Sequence, residues 1–189
     1  LPGDTTRICD EAMEALRRRG VDLERVRDLV ELTRLGPTEV ALLARARAAL
    51  AAAKIATVEA FVAEYEAQAE PLVIFSAHRA PVDAVAARPG WAAITGSESP
   101  ATRSETVAAF QRGVGHGLAL TIQAGGVGIT LTRAAHVLRV DRAWTPGECD
   151  QAVDRVHRIT QARAVLVTDL VADHPIDRHV ARLLAEKRE

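Results

Sequence analysis

Five short aliphatic runs in the second half of the chain constrain its fold more than any other feature. They are LVIF at 72–75, AAIT at 92–95, LALTI at 118–122, HVLRV at 136–140 and AVLVTDLV at 164–171. Each is nearly continuous in apolarity, the pattern of strands covered on both faces. Between them lie helix candidates at 81–87, 100–112 and 147–159, with another at 175–187. Ser99-Pro100 gives the second of these a marked start, an N-cap followed by a proline at the first helical position. Strand–helix alternation predicts a parallel α/β sheet with helices on its faces. Ligands on such sheets gather at the carboxyl ends of the strands.

The first 70 residues carry a different periodicity and read as a helical segment preceding an α/β unit at 71–189. Asp10–Arg19 is helical in pattern and stops at Gly20, a C′ glycine. Asp22 can cap the following stretch, in which Leu23, Val26, Leu29, Val30 and Leu32 share a stripe. Gly36-Pro37 interrupts the pattern. The alanine-rich stretch from Thr38 is then one long helix, or two joined near Lys54.

Composition is that of a globular chain, 48% hydrophobic and 26% charged with a formal net charge of −1, which argues against disorder. The charge balance carries no global signal for nucleic acid, yet leaves room for a local basic groove. Lys54 and Lys187 are the only lysines, so the cationic side chains are overwhelmingly arginine. Arginine binds phosphate bidentately where lysine acts as a point charge; a GC-rich genome would produce the same bias. Cys9 and Cys149 fit no metal or redox spacing, and an intracellular, reducing setting is expected. No apolar run approaches the roughly 20 residues that a membrane helix needs. The chain opens at Leu-Pro-Gly without methionine and is expected to be a fragment or an excised domain.

The unusual residues fall at predicted strand ends. Ser76, Ala77, His78 and Arg79 follow the first strand, and Thr95, Gly96 and Ser97 follow the second. Small hydroxyl residues, glycine and exposed amides there suit phosphate contacts, or simply build turns. A glycine-bearing run from Gln123 to Thr132 follows the third strand without forming a dinucleotide fingerprint. The last cluster, QAVDRVHRITQ at 151–161, places Gln151, Arg155 and Arg158 at i, i+4 and i+7. On a helix they would share one face, with Ala152, Val156 and Ile159 turned toward the sheet and Asp154 beside the arginines. Such arginines either hold an anion or are solvated. No Gly-x-x-x-x-Gly-Lys-[Ser/Thr] phosphate loop is present. Asp10-Glu11-Ala12-Met13 mimics a magnesium-binding acidic motif but lacks the preceding apolar strand.

In order, these clusters resemble the second RecA-like lobe of the Swi/Snf family of superfamily 2 DNA translocases. The resemblance is closest over 118–161, where Trp144-Thr145-Pro146 and Asp154-Arg155-Val156-His157-Arg158 are similar to family hallmarks. It extends back through GSESPATRSETVAAFQ (96–111) and PLVIFSAH (71–78), and more loosely through 47–65. The Gly-Ile-Thr-Leu-Thr run at 128–132 is most like the fork-remodelling, strand-annealing branch. Departures are Thr130 where most members have asparagine, Thr145 in place of asparagine, Thr160 in place of glycine, and Thr121-Ile122 where a Ser/Thr pair is usual. Residues 1–36 have no match and by position could belong to a helical protrusion.

The resemblance implies a motor lobe whose ATP and Mg2+ are held mainly by a first RecA-like lobe of the same polypeptide. Arg155 and Arg158 would be arginine fingers and Gln151 would position the nucleotide or the attacking water. Gly126 and Gly128 would form the turn linking the nucleotide cleft to the DNA track, with Asp154 at the nucleotide side. Ser76, His78, Gly96, Ser97, Thr121 and Thr130 would line double-stranded DNA. Trp144 would anchor the arginine segment, and His157 is a structural or a catalytic histidine. The implied activity is ATP-driven translocation on duplex DNA, with this chain inactive alone, in a bacterial, nucleoid-associated setting. The alternative is a non-catalytic helicase-like module that binds DNA or a protein; the two intact arginines weigh against it.

Overall fold

The computed structural model describes residues 1–23, 26, 34–125, 128–143 and 146–186. Three helices precede the sheet: α1 (Gly3–Arg18), α2 (Pro37–Ala53) and α3 (Ile55–Ala67). Then come β1 (Leu72–Ser76), α4 (Arg79–Ala86), β2 (Trp91–Ile94), α5 (Pro100–Gln111) and β3 (Gly117–Thr121). The chain continues through α6 (Ile122–Gly125), β4 (His136–Arg139), α7 (Pro146–Val153), β5 (Leu166–Asp169) and α8 (Pro175–Glu186). All five expected strands form. The stretch expected to form a helix after Asp22 lies largely outside the described residues.

The strands pair in the order β2-β3-β1-β4-β5, parallel throughout. This is the parallel, helix-flanked sheet expected of a RecA-like lobe. Travel along the sheet reverses after β2, so right-handed crossovers require α4 and α5 to lie on opposite faces. The cores agree. In the register, Val73 lies beside Leu118 and Val137, and these pack with Phe75, Leu120, Phe110 of α5 and Ala152 of α7. The alternate residues Ile74, Ala119 and Leu138 face the other way, against Val58 and Val62 of α3 and Val82 and Val85 of α4. One chain therefore fills two aliphatic layers by the two-residue period of its strands.

A further cluster joins α1, α2 and α8. Cys9, Ala12, Met13 and Leu16 form the buried stripe of α1, and Leu43, Ala46 and Leu50 that of α2. Ile176, Val180 and Leu183 of α8 complete it. The last helix thus packs with the first two, while α3 packs on the sheet.

Trp91 is buried at the start of β2, and its indole N–H donates to Glu66 of α3 at 2.7 Å. Gly117 has to be glycine, because a Cβ there would collide with the Trp91 ring and the Leu72 carbonyl oxygen.

Candidate functional site

The ends of β1, β2 and β3 meet at one edge. After β1, the Ser76 hydroxyl donates to Asp141 Oδ2 at 2.6 Å and accepts the His78 N–H at 3.0 Å. The Ala77 N–H donates to the other Asp141 oxygen at 2.6 Å. Ser76 is fully buried, so its hydroxyl organises this turn from below instead of facing solvent. Burial pushes the Asp141 carboxyl above its ordinary range, against the opposing pull of the Ser76 hydroxyl and His78. Burial also lowers His78, with Asp141 opposing it and Arg47 and Lys54 reinforcing it. The buried Nε2 of His78 makes no hydrogen bond.

After β2, Gly96 takes φ +93°, and both it and Ser97 are exposed. The Glu98 carboxylate turns back into the loop they form. It accepts the Thr95 N–H at 3.0 Å, the Gly96 N–H at 2.9 Å and the Thr95 hydroxyl at 2.7 Å. Partial burial would raise its pKa, but these donors outweigh burial and bring it down to about 2. At the end of β3, the Thr121 hydroxyl donates to the Thr95 carbonyl at 3.2 Å and accepts the Ala124 N–H at 3.4 Å. The loops after β2 and β3 are thereby tied together.

The arginine segment differs from its expected form. Helix α7 ends at Val153, and 154–160 form successive turns. The Arg155 N–H reaches back only to Ala152 O and the Val156 N–H only to Val153 O, three-residue bonds of a tightened end. The Arg155 carbonyl instead accepts the Leu131 N–H at 2.8 Å. Val156 is fully buried as expected, but Ile159 is fully exposed, because the turn rotates it out of helical phase. Arg155 and Arg158 are therefore presented from a turn and not from one helix face, while Gln151 stays exposed on α7.

Arg158 Nη1 donates to the Thr130 hydroxyl at 3.0 Å. Thr130, Asp154, His157, Arg158, Ile159, Thr160 and Gln161 line an open cleft of about 900 Å³. Thr130, expected to line DNA, is thus brought to Arg158, and the cleft lining includes neither Arg155 nor Gln151. Gly128 sits exposed with φ +46° near the start of the Thr130 loop. Gly126 and Trp144, assigned to the linking turn and the packing anchor, lie outside the described residues. Among the described residues no group of three or more His, Cys, Asp or Glu side chains could hold a metal ion.

Other participants were not assigned to the site from the sequence. Gln161 donates to the carbonyls of Thr132 at 3.1 Å and Ala134 at 2.7 Å, pinning the arginine turn to the Thr130 loop. Arg139 and Arg142 both pair with Asp169 and, although burial opposes them, hold its carboxyl below the usual range. Buried Lys54 donates to Val140 O, Leu170 O and Asp177 Oδ2. Two signals were available: Asp141 directly follows the apolar run HVLRV, and Lys54 is a rare lysine in an alanine-rich stretch.

Residues 53–160 match the family model described as the helicase conserved C-terminal domain. The chain is 41% identical over 91 residues to the SNF2 domain-containing protein ENL1 of Oryza sativa subsp. japonica, covering 48% of this chain and 9% of that protein. It is 38% identical over 95 residues to the putative ATP-dependent helicase/translocase YwqA of Bacillus subtilis (strain 168), covering 50% and 10%. It therefore spans about a tenth of the length of these curated relatives. The solved Sulfolobus solfataricus SWI2/SNF2 ATPase core in complex with dsDNA shares the fold over the whole of this chain and 42% of its own, with TM-score 0.74 and 20% identity.

Proposed function

The chain belongs to the helicase conserved C-terminal domain family, and from that premise we propose that it is the second motor lobe of a Snf2-type, ATP-dependent translocase acting on double-stranded DNA. The observation that carries this reading is the open cleft where Arg158, Thr130, Asp154 and Gln161 converge, in a chain without a phosphate loop. A cationic turn facing an open cleft suits a phosphate group held from the other side. ATP and its Mg2+ would be bound mainly by a first RecA-like lobe of the same polypeptide. Arg155 and Arg158 would stabilise charge developing on the transferred phosphoryl group, and Gln151 would help to position the nucleotide or water. Asp154, on the cleft wall, would bias the orientation of the arginines. Gly126 and Gly128 would form the turn between this cleft and the DNA edge.

On that edge, exposed Gly96 and Ser97, with His78 and Thr121, would meet the DNA backbone, while Ser76 shapes the loop beneath them. Such contacts are sequence-independent and salt-sensitive. Closure of the two lobes around ATP would then shift this edge along the duplex. An intracellular, nucleoid-associated setting in a bacterium fits this work.

The test is ATP turnover by the polypeptide carrying both lobes. Arg155→Ala and Arg158→Ala should each reduce it by about 10³-fold or more while DNA affinity stays within about twofold. Residues 1–189 alone should hydrolyse no ATP. Near-normal turnover in both variants would remove the arginine assignment.

A further inference from the structure

Two segments distant in the chain, 130–134 and 155–161, are stitched side by side. The Leu131 N–H donates to Arg155 O at 2.8 Å, and the Gln161 amide donates to the carbonyls of Thr132 and Ala134. Leu131, Ala134 and Val156 anchor both segments in the same core. These bonds engage main-chain groups of the Thr130 loop, so that loop and the arginine turn form one unit.

The bond from Arg158 to Thr130 is of another kind. It joins a charged donor to a neutral side-chain acceptor at the cleft wall, at 3.0 Å, and it is the one hydrogen bond the Arg158 guanidinium makes among the described residues. A guanidinium offers five N–H donors in a planar fork. A carboxylate partner would neutralise its charge and occupy the fork bidentately. A hydroxyl takes one donor, fixes the direction of the plane, and leaves the charge and remaining donors for an anion. Arg139, by contrast, is closed off by Asp169 through two bonds. Of these two arginines, Arg158 is the one oriented without being neutralised.

We propose that Thr130 is the positioning residue for Arg158, its hydroxyl setting how the guanidinium meets the phosphate groups of a nucleotide held across the cleft. This rests on the reading of Arg158 as an arginine finger, and it moves Thr130 from the DNA edge to the nucleotide side. The hydroxyl acts through Arg158 and does not touch the substrate, so its loss falls on the chemical step more than on nucleotide binding.

The experiment measures kcat and KM for ATP at saturating DNA in the two-lobed polypeptide. The near-isosteric Thr130→Val should lower kcat by about tenfold with KM within about twofold, the scale expected for one hydrogen bond to a charged group. Thr130→Ser should restore kcat, and duplex affinity, read by fluorescence anisotropy, should not change. Adding Thr130→Val to Arg158→Ala should cause no further loss, because the two act as one unit. Thermal melts check that each variant folds; if valine is not tolerated, Thr130→Ala takes its place. Normal kcat in the hydroxyl-free variant overturns the proposal. So does failure of serine to rescue, which marks a packing role, or weakened DNA affinity with normal kcat, which returns Thr130 to the DNA edge. The Arg158→Ala control separates the layers: if it retains turnover, the finger reading itself has failed; if it is inactive while Thr130→Val is active, only the positioning role has.

Discussion

Glu98 shows how one side chain fixes a loop that periodicity describes only as a turn. Its carboxylate accepts from the N–H groups of Thr95 and Gly96 and from the Thr95 hydroxyl, which holds it ionised down to about pH 2. A pKa depressed in the folded state contributes stability that is fully present above the unfolded value, near 4.5, and is lost as pH falls through the folded value of about 2. Glu98→Gln should therefore melt below the wild type at pH 7, with the gap closing between pH 4.5 and 2. Paired melting curves across that range check it; a gap independent of pH would mean that shape, not charge, matters. Gly96 and Ser97 could be picked out of the sequence as phosphate-compatible residues. The carboxylate that folds over them could not, because nothing local distinguishes it from a solvated glutamate.

Among the elements, those whose cause is local were legible. The run LVIF became Leu72–Ser76, and Ser99-Pro100 starts α5 where a cap and an N1 proline require it. The Ser99 hydroxyl accepts the Thr102 N–H at 3.1 Å, so Ser99→Ala should cost about 1 kcal/mol in urea unfolding, whereas Ser99→Asp should cost little. The end of α7 was illegible for the opposite reason. Apolar spacing at Ala152 and Val156 continues a helical pattern, but the Arg155 carbonyl is taken by Leu131, 24 positions earlier in the chain. Gln161 then locks the turn to Thr132 and Ala134. A bond between distant segments overrides the period, and it changes the site, since the arginines emerge from a turn and Ile159 points to solvent. Spacing singled out Arg155 and Arg158 and resemblance gave them an expected role; only the fold could put Thr130 against one of them.

Across the whole molecule, helices from both ends of the chain have to be held to the sheet whose carboxyl edge carries the site. Lys54 stands where α2 meets α3 and reaches three acceptors: Val140 O just past β4 at 2.7 Å, Leu170 O just past β5 at 2.8 Å, and Asp177 Oδ2 of α8 at 2.7 Å. All three ammonium donors are therefore used, which makes burial of the charge tolerable. Asp177 in turn accepts the Ala172 N–H at 2.6 Å. Lys54→Met keeps the aliphatic stem but strands a part-buried carboxylate and two carbonyls, and removing one partner of such a pair costs about 3 kcal/mol or more. Adding Asp177→Asn should recover part of that loss, because the amide oxygen can still accept from Ala172 with no charge left unpaired. Urea unfolding of the two variants measures both effects. Hydrogen exchange should rise together in α8 and at the ends of β4 and β5, because one side chain ties all three. If Lys54→Met unfolds at the wild-type midpoint, apolar packing and the bonds from Arg47 to Arg142 O and from Arg142 to Ala181 O suffice to hold these helices to the sheet, and Lys54 is only a satisfied charge at the seam.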